Sequence, residues 1–166
     1  MMTRILITGM SGTGKTSVIR ELLARGHQAH DLDTPEWSHW VPAVPGDDLT
    51  PGQGEDWVWQ LDKVRALLSR PTPLPLFVSG CAENMAELFP LLDAVVLLSA
   101  PVPTIMTRLA ARTTCGYGHA EEERRKVAEL ITTIEPLLRH SADFEIDTRQ
   151  PVKATVDALF RFIGSR

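Results

Sequence analysis

A glycine-rich segment near the N-terminus limits the choice of folds more than any other part of this chain. Residues 9–16 read Gly-Met-Ser-Gly-Thr-Gly-Lys-Thr and fit the pattern G-x-x-x-x-G-K-[ST]. A continuous apolar run, 4–8, precedes the segment, and apolar residues at helical spacing follow it. Glycines let successive backbone N–H groups turn toward one point, where a helix N-terminus adds partial positive charge. The segment therefore predicts a phosphate-binding loop between a strand and a helix.

The residues of this loop have distinct expected roles. Lys15 would reach the β- and γ-phosphates of a nucleotide, and the Thr16 hydroxyl would bind Mg²⁺. A glycine-rich turn with an incidental lysine is the alternative. The candidate nucleotide-binding residues of the loop and the first helical turn are Gly9, Met10, Ser11, Gly12, Thr13, Gly14, Lys15, Thr16 and Ser17.

Short apolar runs alternate with segments of helical periodicity along the rest of the chain. Continuous runs typical of strands buried on both faces are 4–8, 74–79 and 94–98, and weaker strand candidates are 28–31 and 144–147. Further helices are expected from Pro101, from about Ala120 to Leu138, and from Pro151. This alternation predicts an α/β fold in which a parallel sheet has helices on both faces.

Length, charge and cysteine content limit the function classes. The 166 residues are expected to form a single domain, residues 1–166, that buries a core without disulfides or structural metal. Seventeen Lys+Arg against 21 Asp+Glu give a net charge of −4, which argues against nucleic-acid binding through a broad basic surface. No apolar run approaches the roughly 18 residues of a membrane span. Two cysteines, Cys81 and Cys115, are compatible with the expected cytoplasmic location.

Two aspartates close the second strand candidate. Asp31 and Asp33 are two residues apart, so their side chains point the same way if the chain stays extended. At the carboxyl end of a parallel strand both would face the ligand crevice beside the glycine loop. One carboxylate would hold Mg²⁺ through water, and the other would take a proton from an acceptor hydroxyl. The alternative is a turn before a helix near Pro35, with Asp33 or Thr34 as its cap.

Two arginines and a break in periodicity follow the fourth strand candidate. Arg108 and Arg112 are four residues apart and can project toward the same space from one helix. Residues 112–120 then interrupt the helical pattern with two glycines and predict a short lid. Cations on a closing lid would neutralise a transferring phosphoryl group and exclude water. The alternative for both arginines is a solvated surface position.

In this order, the glycine loop, Asp-x-Asp, Arg-x-x-x-Arg and lid resemble the P-loop kinases of the shikimate kinase and nucleoside monophosphate kinase group, over nearly the whole chain. The resemblance implies a three-layer P-loop NTPase fold with a five-stranded parallel sheet, helices on both faces and a short lid. It implies that Asp31 lies near Mg²⁺ and that Asp33 binds the acceptor hydroxyl. It also implies that Arg108 stacks on adenine and that Arg112 contacts the phosphates. Residues implied to lie against the adenine are Arg149, Pro151 and Val152.

The acceptor side departs from both kinase families. Shikimate kinases carry a Gly-Gly-Gly run after the third strand, where this chain has Ser79-Gly80-Cys81. They also carry a carboxylate-binding arginine where this chain has Ile134. The Ser79-Gly80-Cys81 run differs equally from the Asp-Gly-x-Pro-Arg of nucleoside monophosphate kinases. The acceptor is therefore not expected to be shikimate, and a nucleoside monophosphate is not favoured.

An acceptor-side insertion is predicted over residues 34–70, which hold all four tryptophans. Trp37 and Trp40, three apart on a predicted short helix, would present two aromatic walls to a ligand, or alternatively would pack the insertion onto the sheet. The pair Glu55-Asp56 is interpreted as the acidic start of a helix. Candidate acceptor-binding residues are Asp33, Trp37, Trp40, Gly80, Cys81, Glu83 and Asn84.

These patterns predict an ATP-dependent phosphotransferase that moves the γ-phosphoryl group of Mg·ATP to a small hydroxyl- or phosphate-bearing acceptor. The expected cofactors are ATP and Mg²⁺, and the metal candidates are Thr16 and Asp31. Catalytic candidates are Lys15, Asp33 and Arg112. The expected partner is a small-molecule acceptor, with neither nucleic acid nor membrane, and the protein is expected to be a monomer or homodimer. An ATP-binding sensor or a slow ATPase without an acceptor is the alternative.

Overall fold

A parallel sheet forms the centre of this computed structural model, which describes residues 3–46, 50, 52, 54–112 and 120–165. The strands of the described residues are β1 Arg4–Thr8, β2 Gln28–Asp31, β3 Ser38–Pro42, β4 Glu55–Trp59, β5 Leu76–Ser79, β6 Ala94–Ser99 and β7 Phe144–Asp147. The central sheet has the order β2-β5-β1-β6-β7, and all of its neighbouring strands are parallel. The predicted five-stranded parallel sheet is confirmed, although β5 begins at Leu76 rather than Leu74.

Helices cover both faces of this sheet. They are α1 Lys15–Ala24, α2 Leu61–Leu68, α3 Val102–Ala110, α4 Glu121–Thr133, α5 Glu135–Ser141 and α6 Val152–Gly164, together with a 3₁₀ helix, Met85–Leu91. Ile5 of β1 packs with α1 and α6, whereas the next residue, Leu6, packs on the opposite face with α2, α3 and α4. Because both faces are covered, the central strands are apolar except at their ends, where Arg4, Thr8, Ser79 and Ser99 lie. The predicted three-layer α/β fold is confirmed.

A second, two-stranded sheet lies within the predicted insertion 34–70. Strands β3 and β4 form an antiparallel hairpin in which Trp40 pairs with Trp57. The predicted helix carrying Trp37 and Trp40 is therefore wrong, since Trp37 lies in a turn and Trp40 in β3. The interpretation of Glu55-Asp56 as a helix start is also wrong, because these residues open β4. In this segment the packing of aromatic side chains across two strands determines the conformation, and the helical spacing of the tryptophans along the chain does not.

One predicted helix is divided in two. Helix α4 ends at Thr133 and α5 begins at Glu135, so the single helix expected from about Ala120 to Leu138 is wrong. Pro136 lies in the first turn of α5, where its missing N–H is tolerated, and in the interior of a longer helix it would remove a hydrogen bond.

Of the lid predicted over residues 112–120, positions 113–119 lie outside the described residues. No helix in the described ranges has the length and apolar character required to cross a membrane.

Candidate active site

The glycine-rich segment connects β1 to α1 as a tight turn. Gly12 and Gly14 have φ angles of 83° and 101°, in the left-handed region that favours glycine. A Cβ at Gly9 would lie 2.5 Å from the Leu98 carbonyl oxygen, so this close approach to β6 requires glycine. Within the turn, Thr13 donates to the Met10 carbonyl from its backbone N–H over 3.3 Å and from Oγ1 over 2.7 Å. The glycines are thus required by the backbone path of the loop.

Lys15, the first residue of α1, lies across this loop. Its ammonium group donates to the carbonyl oxygens of Gly9 over 2.6 Å and Met10 over 3.0 Å. Lys15 also lines the cavity that opens beside the loop. These contacts hold a positive charge at the place where the sequence predicts the phosphates of a nucleotide.

Thr16 and Asp31, the two metal candidates, lie together. The Thr16 hydroxyl donates to Asp31 Oδ2 over 3.1 Å, which joins the first turn of α1 to the end of β2. Ser79 is the neighbour of Asp31 in the sheet, and its buried hydroxyl has no hydrogen-bond partner among the described residues.

Such oxygen donors fit Mg²⁺, which keeps several waters and is usually bound by one or two protein oxygens together with phosphates. The described residues contain no group of three or more His, Cys, Asp or Glu that would form an all-protein metal site.

Asp33 lies where β2, β5 and the hairpin meet. Its carboxylate accepts hydrogen bonds from Trp59 Nε1 over 3.1 Å and from the Cys81 backbone N–H over 3.1 Å. A Cβ at Gly80 would lie 2.6 Å from Asp33 Oδ1, so glycine is required for this approach. Burial raises the pKa of Asp33, and the positive charge of Lys15 opposes that rise. The arrangement supplies a fixed carboxylate with increased affinity for a proton.

Arg108 joins the loop to the end of the sheet. It donates from Nη1 to the Gly12 carbonyl over 3.2 Å and to Thr148 Oγ1 over 3.0 Å. Thr148 in turn donates from its hydroxyl to the Thr13 carbonyl over 2.7 Å. Arg108 therefore lies beside the loop as a cross-link. The role of Thr148 in this cross-link is not evident from the sequence, because it depends on contacts between distant segments.

The other residues predicted on the nucleotide side lie just after the C-terminal ends of α3 and β7. Arg112 follows α3, next to the positions that are not described. Arg149 is exposed and forms an ion pair of 2.7 Å with Asp147, and this bond lowers the pKa of Asp147. Pro151 caps α6, which starts at Val152. Thr148, rather than Arg149, makes the contacts with the loop that the structure shows.

A cavity of about 1120 Å³ extends from the loop toward the hairpin. At one end it is lined by Gly9, Met10, Ser11 and Lys15, and next to these by Asp33 and Cys81. The hairpin contributes Trp40, Asp56 and Trp57. An apolar wall from the 3₁₀ helix, α4 and α5 includes Met85, Phe89, Val127, Leu130, Ile134 and Leu138. The cavity therefore joins the phosphate-loop residues to a second, mainly apolar compartment.

Four of the residues predicted to bind the acceptor line this cavity, namely Asp33, Trp40, Cys81 and Glu83. Burial raises the pKa of the Cys81 thiol, which disfavours its reactive thiolate form. Gly80 contributes by its close approach to Asp33. Asn84 does not line the cavity. Its side-chain amide is instead bound to the Trp59 backbone, where it accepts a hydrogen bond from the N–H over 3.2 Å and donates one to the carbonyl over 2.9 Å.

Of the two interpretations for Trp37 and Trp40, the pair of aromatic walls is not formed, and Trp37 packs in the interior as the other interpretation has it. Trp37 is buried away from the cavity, with its ring against His30 and under the ammonium group of Lys63. Trp40 packs instead against Trp57, with 5.0 Å between the ring centroids.

Sequence reasoning did not identify Asp56, Trp57 or Trp59 as site residues. The alternation of Trp57 and Trp59 is the two-residue period of a strand and was the available signal.

Comparison with known proteins agrees with this fold. The family model described as "AAA domain" matches residues 5–129. The structure is similar to a shikimate kinase from Acinetobacter baumannii in complex with shikimate, with 22% identity, a TM-score of 0.66 and coverage of 99% of this chain and 94% of that chain. It is also similar to a shikimate kinase from Bacteroides thetaiotaomicron, with 14% identity, a TM-score of 0.60 and coverage of 99% of each chain.

Among curated proteins, none matches this chain by sequence. At these identities the structural likeness shows the fold, which is the P-loop fold of the shikimate kinases. The family match spans most of the chain and includes the glycine loop, both aspartates and the hairpin. By this match, and by a sheet and loop of the same kind, the chain belongs to the AAA domain family and has a kinase-like P-loop fold.

Proposed function

We propose that the protein is an ATP-dependent phosphotransferase that moves the γ-phosphoryl group of Mg·ATP to a small hydroxyl-bearing acceptor. The observation that carries this proposal is the position of Asp33. Its carboxylate lines the same cavity as Lys15 and the glycine loop, and two N–H donors hold it in place. A protein that only bound ATP would not need a fixed, half-buried carboxylate between a phosphate loop and a second compartment.

In the proposed reaction the acceptor oxygen forms a bond to the γ-phosphorus while the bond from that phosphorus to the β–γ bridging oxygen breaks. ADP leaves, and the proton of the acceptor hydroxyl passes to Asp33. The raised pKa of Asp33 makes its carboxylate a stronger base than an exposed aspartate. Lys15 offsets negative charge on the phosphates. Mg²⁺, held by Thr16 and Asp31, would supply further charge neutralisation on the phosphate oxygens.

The proposed acceptor is not shikimate. Ile134, which occupies the position expected for a carboxylate-binding arginine, lies in the apolar wall of the cavity. Lys15 is the lone basic residue among the described lining residues, and it belongs to the phosphate side. The acceptor compartment of the described chain thus offers no cation for a carboxylate.

Asp33→Asn tests the proposal, because an amide cannot accept the proton. The variant is expected to keep Mg·ATP-induced thermal stabilisation and to lose acceptor-dependent ADP release by roughly 10²- to 10⁴-fold. The acceptor panel contains nucleosides, nucleoside monophosphates, shikimate, sugars and hydroxylated amines. Asp62→Asn, an exposed aspartate of α2, is the matched control and should leave both readouts unchanged.

Two results would contradict the proposal. One is a wild-type protein that binds Mg·ATP and releases no additional ADP with any acceptor, which is the behaviour of a sensor. The other is an Asp33→Asn variant with the acceptor-dependent rate of the wild type.

A further inference from the structure

We propose that the acceptor is an alcohol with an apolar body, and not a sugar or a hydroxy acid. The body would bind in the compartment that the indoles of the β3–β4 hairpin and an apolar stripe of α4 and α5 line together. The inference rests on the proposed phosphotransferase function and adds the chemical class of its substrate. It depends on the stripe, on the indoles and on the position of Asp33 beside them.

The apolar stripe of α4 and α5 forms one side of the compartment. Its members line the cavity at the three- or four-residue spacing of a helix face, and they are Val127, Leu130, Ile134, Leu137, Leu138 and Ser141. Val127 is 1% exposed and belongs to the core, whereas Leu137 is 63% exposed. The stripe therefore continues beyond the core and leaves apolar surface open to the cavity.

Exposed apolar side chains are concentrated at this cavity. Among the described residues, the large apolar side chains with high exposure are Leu23, Trp40, Val44, Leu74, Val102, Leu137 and Phe144. Of these, Trp40, Val44 and Leu137 line the cavity, and they come from β3, from the connection after it and from α5. A single exposed apolar residue needs no explanation, but a group of them around one concave site is typical of ligand binding.

The indoles of the hairpin form another side of the compartment. Trp40 pairs with Trp57, and Trp59 is two residues further along β4, so the three indoles project from one face of the hairpin. The half-exposed Trp40 ring packs against Trp57, and a Cβ at Gly52 would lie only 3.0 Å from Trp40 Cζ3. A flat apolar surface that is already held in place loses little conformational entropy when a ligand binds.

The indole face also contacts the residue proposed as the base. Trp57 Nε1 donates to the Asp33 backbone carbonyl over 2.9 Å, and Trp59 Nε1 donates to Asp33 Oδ1 over 3.1 Å. Asp33 lines the cavity together with Lys15 of the phosphate loop. An alcohol whose body lies against the indoles therefore has its hydroxyl close to both the base and the phosphate side.

The stripe is unsuitable for a strongly polar body. Among the lining residues that α4 and α5 contribute to the described chain, Ser141 alone has a polar side chain. Sugar hydroxyls that lost their water there would lack hydrogen-bond partners, which is unfavourable. A carboxylate would lack a cation, because Lys15 is the lone basic residue of the described lining and is assigned to the phosphates.

The adenine of ATP does not account for this compartment. The residues that the sequence resemblance places against adenine are Arg108, Arg149, Pro151 and Val152. All of them are described by the structure, and none lines this cavity. The apolar surface beyond Asp33 is therefore assigned to the acceptor.

Three small alcohols test the preference for an apolar body. They are 1-phenylethane-1,2-diol, mandelate, which has a carboxylate in place of the primary alcohol, and ribitol, which has hydroxyls without an apolar body. Binding is measured by isothermal titration calorimetry at several temperatures with a non-hydrolysable Mg·ATP analogue present. We expect the diol to bind at least about tenfold more tightly than mandelate or ribitol, with a negative change in heat capacity.

Leu137→Gln tests the stripe at an exposed position, where the substitution leaves the core intact. The affinity for the diol should fall by at least about threefold, because the variant removes apolar surface from the cavity. Leu23→Gln is the matched control, since it changes a leucine of similar exposure on α1 that does not line the cavity. This control should bind the diol as the wild type does.

Ile134→Arg tests the stripe by placing a cation in it. The variant should lose the preference for the diol over mandelate. Leu74→Arg adds the same charge at an exposed position outside the cavity and should keep the preference. Mandelate or ribitol binding as tightly as the diol, no binding of the diol, wild-type affinity for the diol in Leu137→Gln, or an unchanged preference in Ile134→Arg would overturn the inference.

Acceptor-dependent ADP release separates this inference from the proposed function. If the diol binds with the expected preference but no alcohol stimulates ADP release, the apolar compartment stands and the phosphotransferase proposal fails. If only sugars or hydroxy acids are phosphorylated, and Leu137→Gln reacts as well as the wild type, the phosphotransferase stands and the apolar acceptor fails.

Discussion

The indole Nε1 of Trp59 donates a hydrogen bond to Oδ1 of Asp33 over 3.1 Å. Trp59 belongs to the hairpin and is 2% exposed, whereas Asp33 follows the edge strand of the central sheet. Asn84 fixes the Trp59 backbone through both atoms of its side-chain amide. The hairpin therefore influences the protonation of the carboxylate that we propose as the base.

Trp59→Phe tests this influence. The indole bond stabilises the ionised carboxylate and lowers its pKa, so removal of the bond should raise the pKa of Asp33 further. Because the base must be ionised to accept a proton, the acid limb of kcat/KM should move to higher pH. At neutral pH the rate should fall by roughly tenfold, as expected for loss of a hydrogen bond to a charged group.

The control is Trp37→Phe, which changes a buried tryptophan outside the cavity and should leave the pH profile in place. A purely structural role of Trp59 would lower the rate at all pH values without moving the limb.

Gly80→Ala tests the close approach of β5 to Asp33. The new Cβ would lie 2.6 Å from Asp33 Oδ1 and 2.9 Å from Trp59 Cζ2, so the carboxylate must move. Misplacement of a catalytic group by about 1 Å can reduce a rate by roughly 10²-fold, and we expect a loss of that order in acceptor-dependent ADP release. Gly164→Ala, with no atom within 4 Å of its Cβ, should have the wild-type rate. Equal rates for both variants would contradict the assigned position of Asp33.

Lys15→Met should abolish the thermal stabilisation that Mg·ATP gives to the wild type. For a ligand at about 100 times its Kd this stabilisation is about 2.7 kcal/mol, or roughly 5–10 °C in Tm for a domain of this size. The matched control is Lys153→Met, which removes an exposed lysine on α6 and should keep the full shift. A shift in Lys15→Met as large as in the wild type would place the nucleotide elsewhere.

Asp33→Asn should also change how stability depends on pH. Burial raises the pKa of Asp33 in the folded state, so the unfolded chain loses this proton first as the pH rises. Wild-type stability therefore decreases between the ordinary range of aspartate and the raised folded pKa, and Asn does not titrate. The Tm difference, variant minus wild type, should increase with pH in that window and become constant above it.

The elements predicted correctly from the sequence are those whose signal is local. The apolar strand 4–8, the glycine loop and the helical stripe after it follow one another directly, and each has its own pattern. The strand ends then place Asp31 and Asp33 beside the loop by the general geometry of parallel sheets. In the structure the Thr16 hydroxyl and the Asp31 carboxylate are 3.1 Å apart, although these residues are 15 positions apart in the chain.

The hairpin was missed because its signal is not local. Trp40 meets Trp57 across two strands, whereas spacing along the chain suggested a helix with Trp37. Asp56 resembles a helix-start acid when only its neighbours are considered, and its burial depends on the fold around it. Trp59 contacts the Asp33 carboxylate and the Asn84 side chain, and a single sequence carries no direct sign of such contacts between distant segments.

Trp40, Trp57 and Trp59 all belong to one hairpin that is separate from the central sheet, so the segment that we propose to line the acceptor side forms one exchangeable unit. Recombination could replace residues 34–60 in a single event and leave the glycine loop, Asp31 and Asp33 in place. Any replacement would have to retain one feature, an N–H donor that reaches Asp33. Divergence among relatives should therefore concentrate in this connection, around a conserved indole or an equivalent donor.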